Sequence, residues 1–300
     1  MPDLAAYATH SPYSDPGPFG PLLSALPADT AAVQEAACNA VIHYRGRAGE
    51  LFDGQDADID LRWMADILRV AQERSAAPLT HPRPAHEQVA GCCRDHTLLA
   101  VAALREHGIP ARSRVGFAGY FRPGFHHDHV VAERWDGARW VRFDPEISNA
   151  DWPFDTHDLP IGYGAPFETA AEVWRAYRSG VTDAALYGVD PSLPHLTGPE
   201  FVRGYVVVEL AHRQRDELLL WDVWGDALPW TTTPAEELDA LADEVAALLV
   251  AADAGDAAAE RELEKRYASD PRLRAHDVVT LSPTGRVGDT DLTDRVTRWR

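Results

Sequence analysis

Lysine is almost missing: Lys265 is the only one, and the 28 basic side chains face 47 acidic ones, for a net charge of -19. That deficit of positive charge argues against nucleic acid as a partner, because neutralising phosphates takes clustered Lys and Arg. It disfavours anionic membrane surfaces for the same reason. One lysine also leaves the chain almost no amine with which to cross-link to itself. Cysteine is scarce too. There are three, Cys38, Cys92 and Cys93, and two are adjacent, which speaks against a disulfide framework and for a reducing compartment. Long apolar runs are absent: the most apolar late stretch, VAALLVAA near 245–252, is too short to span a bilayer. The start, MPDLAAYATHSPYSDPGPFG, has neither the basic opening nor the apolar centre of a signal peptide. The expectation is a cytoplasmic protein.

What is present suits one large domain or two smaller ones, with 45% hydrophobic residues over 300 positions. Residues 1–29, rich in Pro, Gly and Ser, read as an N-terminal coil. Residues 30–46 read as a helix stopped at Gly46, and 60–75 as another, with Leu61, Met64, Ile67, Leu68 and Ala71 on one face. An irregular, proline-rich lead-in reaches Cys93. Residues 93–107 are apolar nearly all round and predict a buried helix ended by Gly108 and Pro110. Strands are expected at 112–121 and on either side of Asp136-Gly137, a hairpin signal. A loop spans 147–166, and the rest reads as mostly helical. Thr233-Pro234-Ala235-Glu236 reads as a capping box opening a helix to about Ala252, with another over 256–267. The expected layout is a core over 30–160 and a helical extension over 161–300.

Cys93, His129 and Asp144 carry the chemistry. A thiol becomes a strong nucleophile when its pKa is lowered or a base removes its proton. Cys93 opens the buried helix, where unpaired N–H groups favour a thiolate, and its own backbone N–H is the expected oxyanion donor. If Asp136 and Gly137 alone form the turn, Trp135 pairs with Ala138, Glu133 with Trp140, Val131 with Arg142, and His129 with Asp144. Opposed residues have Cβ atoms about 4.5–5.5 Å apart, close enough for a carboxylate to orient an imidazole. A four-residue loop would instead set Glu146 opposite His129.

These blocks, GCCRDHTLLAVAALREHGIPARSRVGF and HVVAERWDGARWVRFDPE, resemble the core of the transglutaminase-like superfamily over residues 88–146. The family's G-x-C-R-D falls on Gly91, Cys93, Arg94 and Asp95, and its G-I-P-A-R on Gly108 to Arg112. Its histidine falls on His129, its strand tryptophan on Trp140 and its Asp-Pro on Asp144 and Pro145. The flanks SPYSDPGPF and ELLLWDVWG resemble bacterial members. Two positions depart from the pattern: His96 stands where an aromatic is usual, and Val131 where tryptophan is. The resemblance implies an α+β, papain-like fold, with a cysteine-bearing helix on an antiparallel sheet. It also implies acyl transfer by a Cys93-His129-Asp144 triad on a peptide, protein or small amide, with no cofactor. Hydrolysis is the favoured outcome, transfer to an amine the alternative, and a non-catalytic binding module the reading from another class.

Other side chains have two readings. Trp140, His127, Tyr120 and Cys92 are the candidate substrate contacts, although Trp140 and Cys92 also suit packing. Phe117, Phe121 and Phe125 suit either an acyl site or core. The run His126-His127-Asp128-His129 invites a metal, with His81, His86 or His96 as further ligands. One strand cannot supply tetrahedral geometry, so no metal is expected. Glu133 and Arg142 suit a salt bridge. Trp221, Trp224 and Trp230 suit packing of the C-terminal half.

Overall fold

A computed structural model describes residues 4–45, 51–149, 152–228 and 230–300. In chain order these form α1 (Leu4–Tyr7), α2 (Gly20–Ser24), α3 (Thr30–Ala40), β1 (Val41–His43), α4 (Met64–Arg74), β2 (Val89–Gly91) and α5 (Cys93–Glu106). Then come β3 (Ala111–Arg122), β4 (Phe125–Trp135), β5 (Trp140–Phe143), β6 (Phe167–Thr169), α6 (Ala170–Arg178), β7 (Tyr187–Gly188) and α7 (Pro199–Arg213). The chain closes with β8 (Asp222–Val223), α8 (Ala235–Asp253), α9 (Ala257–Ser269), β9 (Val278–Leu281), β10 (Val287–Asp291) and β11 (Val296–Trp299). The largest sheet has the order β5-β4-β3-β6, with β7 beside β4. This is the mixed helix and antiparallel sheet that the resemblance implies.

The described chain divides into two compact units, residues 4–113 with 130–159, and residues 114–129 with 160–300. The first holds all three cysteines. Its centre is α5, whose residues 93–105 are all buried, as expected of a helix without a polar face. Helices α2, α3 and α4 pack on it. Met64, Ile67, Leu68 and Ala71 of α4 are buried, the stripe expected from the sequence, although the helix starts at Met64 rather than residue 60. The expected helix over 30–46 is shorter. It ends at Ala40, and Val41–His43 turn into a strand paired in parallel with β2. The β-branched pair Val41-Ile42 prefers an extended backbone and finds a partner strand there. Gly46 lies outside the described residues. The expected N-terminal coil over 1–29 is not all coil: α1 and α2 occupy part of it.

The second unit pairs β3 with β6, Gly116 facing Thr169, and sets β7 parallel to β4, His126 facing Tyr187. Helices α6, α7, α8 and α9 pack together. Helix α6 opens on a capping box, in which Thr169 accepts from the Glu172 N–H and Glu172 returns a bond to the Thr169 N–H. Helix α8 does not use the expected box: Pro234 is its N-cap with no side-chain bond, and the Thr233 hydroxyl donates to Asp226 instead (2.7 Å). Beside the expected helices, this half carries a four-stranded sheet of order β11-β10-β9-β8. Its strands are two to five residues long, too short for alternation to stand out. No helix among the described residues is long and apolar enough to cross a membrane.

Candidate active site

Strand β2 delivers the chain directly to Cys92, the N-cap of α5, and Cys93 is the first helical residue. Asp95 reaches back so that the Cys92 N–H donates to its Oδ2 (2.8 Å), while Arg94 donates to its Oδ1 (2.9 Å). Gly91 is required by that carboxylate: a Cβ there would lie 2.6 Å from Asp95 Oδ2. The glycine, arginine and aspartate around the cysteine thus form one helix-opening device. His96, at the position where the resemblance has an aromatic, sits with Nδ1 3.0 Å from the Cys92 carbonyl and Nε2 3.1 Å from the Val41 carbonyl. It ties β1 to the start of α5.

The other acidic part of this unit follows β5. The Asp144 N–H donates to the Thr156 carbonyl (2.9 Å), and Asp144 Oδ1 accepts the Glu146 N–H (2.8 Å). Gln34 of α3 donates to the Asp144 and Ile147 carbonyls, and Cys38 Sγ donates to the Glu146 carbonyl (3.3 Å). Helix α3 therefore holds residues 144–147 in place. Asp144 is fully buried. A ring nitrogen of His43, Cys93 Sγ and a Glu146 carboxylate oxygen lie within 4.8 Å of one another.

The thiols differ. Burial pushes Cys38 up to about 12, with the carboxylates of Glu146, Asp144 and Glu35 adding to the rise. Cys92 is pulled down by a hydrogen bond with Cys93. Burial and the charge of Asp95 oppose that pull, and the net shift is upward. Both are held as neutral thiols at neutral pH, which makes them poor nucleophiles.

In the second unit His129 lies in β4, buried at 2% exposure, with its ring edge-on to Tyr120 (6.0 Å between centroids) and Phe121 (5.1 Å). Tyr120 is half-buried, Phe121 exposed, and Phe117 and Phe125 buried. The preceding polar residues are engaged separately: His126 with Glu168 (3.0 Å), His127 Nδ1 with the Val189 carbonyl (2.9 Å), and Asp128 with the Tyr205 hydroxyl (2.5 Å). Among the described residues, no trio of metal-ligating groups includes this His-rich run. Trp140 packs against Tyr7 and Trp135, with the Arg112 guanidinium 4.2 Å above its ring.

The hairpin differs from expectation by two residues. Trp135 pairs with Trp140, Glu133 with Arg142 and Ala132 with Phe143, and the ladder ends there. The turn is the four-residue loop 136–139, because Asp136 Oδ1 accepts the N–H groups of both Ala138 and Arg139 (2.8 Å each). The cross-strand pairing of His129 with Asp144 is therefore not part of the ladder. A slip of two preserves the faces, so Glu133 and Arg142 meet directly in a buried salt bridge (2.9 Å), as expected from the sequence. Trp224 is buried and donates to the Leu273 carbonyl (3.0 Å), as packing predicted, whereas Trp230 is 55% exposed. His43 and Gln34 carried no sequence signal. Their positions depend on β1 docking beside β2 and on the fold of residues 144–147.

Residues 61–145 match the model of the transglutaminase-like superfamily, a span that includes Cys93, His129 and Asp144. Among solved structures, a candidate cysteine protease from Cytophaga hutchinsonii is similar, with 19% identity, a TM-score of 0.32, and coverage of 49% of this chain and 43% of that one. The chain thus spans under half the length of that protein. The comparison with curated proteins found no match. Within an α+β fold, residues 61–145 are thus similar to the transglutaminase-like superfamily.

Proposed function

We propose that the chain is an acyl-transfer enzyme that hydrolyses an amide bond through Cys93, His129 and Asp144. The observation that carries the reading is the placement of Cys93 at the first turn of α5, within the matched segment, while the other two cysteines are held as neutral thiols. Helix N–H groups at that position stabilise a thiolate and, later, an oxyanion. His129 takes the thiol proton, and the sulfur attacks the carbonyl carbon. As the tetrahedral intermediate collapses, the C–N bond breaks and His129 returns the proton to the leaving amine. Water then adds to the thioester, giving His129 a proton that goes back to sulfur as the acid departs. Asp144 orients the imidazole. The substrate class is a peptide, protein or small amide. Tyr120 and His127, both half-buried, are the side chains proposed to meet it. The face of Trp140 is already covered by Arg112, and Cys92 serves as a helix cap.

Transfer to an amine uses the same thioester, and water exclusion decides between the two outcomes. The test is a panel of glutamine-containing peptides with and without an added primary amine. Free acid and ammonia without the amine are expected. Product formed only when the amine is present would replace hydrolysis by transfer. No turnover, with Cys93 acylated by no activated ester, would leave a binding module.

A further inference from the structure

An imidazole, a thiol and a carboxylate meet at the first residue of α5, and the proposed acyl transfer uses only the thiol of the three. His43 is brought there by the parallel register of β1 on β2, which sets it beside Gly91, two residues before Cys93. Glu146 is brought there by its own N–H on Asp144 and by α3, through Cys38 and Gln34. Cys93 is buried and the other two are half-buried, with ligand atoms within 4.8 Å of one another. His43 and Glu146 both fall outside the segment matching the superfamily model, so that match does not account for the cluster.

An ionised thiol beside a carboxylate is a repulsive arrangement, and it suits a cation. The donor set is one nitrogen, one sulfur and one oxygen. Magnesium and calcium take oxygen ligands, whereas thiolate and imidazole favour zinc and its relatives. Ligand atoms around tetrahedral zinc stand roughly 3.4–3.8 Å apart, so modest side-chain rotation closes the set. Three protein ligands leave the fourth position for water. His43 Nδ1 accepts the exposed Arg45 N–H (3.1 Å). That N–H can turn to water when a cation takes the ring.

We propose that His43, Cys93 and Glu146 form a binding site for a zinc-like divalent cation, and that the ion silences Cys93. Sulfur binds as the thiolate and gives its proton to solvent. The silencing rests on the nucleophile reading above; the binding does not.

Cobalt(II), titrated into the full chain, tests both. A thiolate-to-cobalt charge-transfer band in the near ultraviolet is expected at one equivalent, displaced by zinc and not by magnesium or calcium. Cys93→Ser abolishes it. His43→Ala and the isosteric Glu146→Gln each weaken binding at least about tenfold, and Cys38→Ser leaves it intact. In the unaltered protein, one equivalent of zinc stops iodoacetamide from labelling Cys93, and EDTA restores labelling. Absence of the band, or a band of unchanged affinity in His43→Ala and Glu146→Gln, overturns the site. If metal-free Cys93 is labelled no faster than Cys38 and Cys92, the nucleophile reading and the silencing fall together, while the cobalt band still decides the site.

Discussion

The two units bury arginine in opposite ways. In the cysteine-bearing unit the guanidinium groups mostly tie down backbone. Arg83 donates to the carbonyls of Ala71 (2.8 Å) and Ala77 (2.9 Å), Arg105 to Ala111 (3.1 Å), and Arg94 to Arg62 (2.6 Å). Where a carboxylate is buried among them, as Glu133 is, two arginines flank it, Arg112 and Arg142. The helical unit reverses the ratio. Arg114 bonds Glu209 (2.8 Å) and Asp253 (2.7 Å), while Arg213 bonds Asp253 (2.7 Å) and Glu260 (3.0 Å). Carboxylates there share too few cations, and the difference teaches where stability depends on pH. Burial pushes Glu209 up to about 7 despite Arg114, and Asp253 adds to the rise.

The largest expected contrast comes from removing one arginine of each kind. Arg114→Met leaves buried Glu209 without its cation and Asp253 with Arg213 alone, and is expected to cost about 3–5 kcal/mol. Arg83→Met strands carbonyls and is expected to cost about 1–3 kcal/mol. Urea denaturation at pH 7 measures both, and equal losses would erase the distinction between the units.

The pH dependence follows from Glu209. Its folded value lies above the ordinary 4.5, so its contribution is complete below that value and is lost as pH rises through about 7. The unfolding free energy from urea titrations should therefore fall further between pH 5 and pH 8 in the unaltered chain than in Glu209→Gln, by on the order of 2–3 kcal/mol. Identical pH slopes in the two proteins would contradict the assignment.

A smaller effect is expected at the opening of α5. Asp95→Ala leaves the Cys92 N–H and Arg94 without their shared carboxylate, at a cost of about 1–2 kcal/mol. Stability unchanged by the substitution would show that the capping device is dispensable. The smallest effect is expected at Cys38, where Cys38→Ser should leave the alkylation pattern of the remaining thiols unchanged, as read by mass spectrometry.

The same contrast marks what the sequence could reveal. Helix α5 was legible because Leu98 to Leu104 form a continuous apolar run, and the hairpin because Asp-Gly marks a turn. The register was not legible, because it depends on whether the Asp136 side chain captures two N–H groups. The C-terminal sheet and β1 were invisible because strands of a few residues take their stability from partners distant in sequence. The buried ion cluster of the helical unit joins residues 114, 209, 213, 253 and 260, and no spacing rule links them. For the candidate site, Cys93 and its supporting Asp95 stood out as a local motif. His43 did not, because strand pairing brings it to the sulfur, and Glu146 stood out only as the residue that a four-residue turn sets opposite His129.

The central claim, that Cys93 is a thiolate nucleophile served by His129 and Asp144, is tested most directly by iodoacetamide labelling across pH with the adducts mapped by mass spectrometry. Selective labelling of Cys93 well below the ordinary thiol value of about 8.5 is expected, with Cys38 and Cys92 unlabelled. His129→Ala and Asp144→Asn should move the Cys93 profile toward that ordinary value. Slow, equal labelling of all three cysteines, or a Cys93 profile unmoved by His129→Ala, would contradict the account.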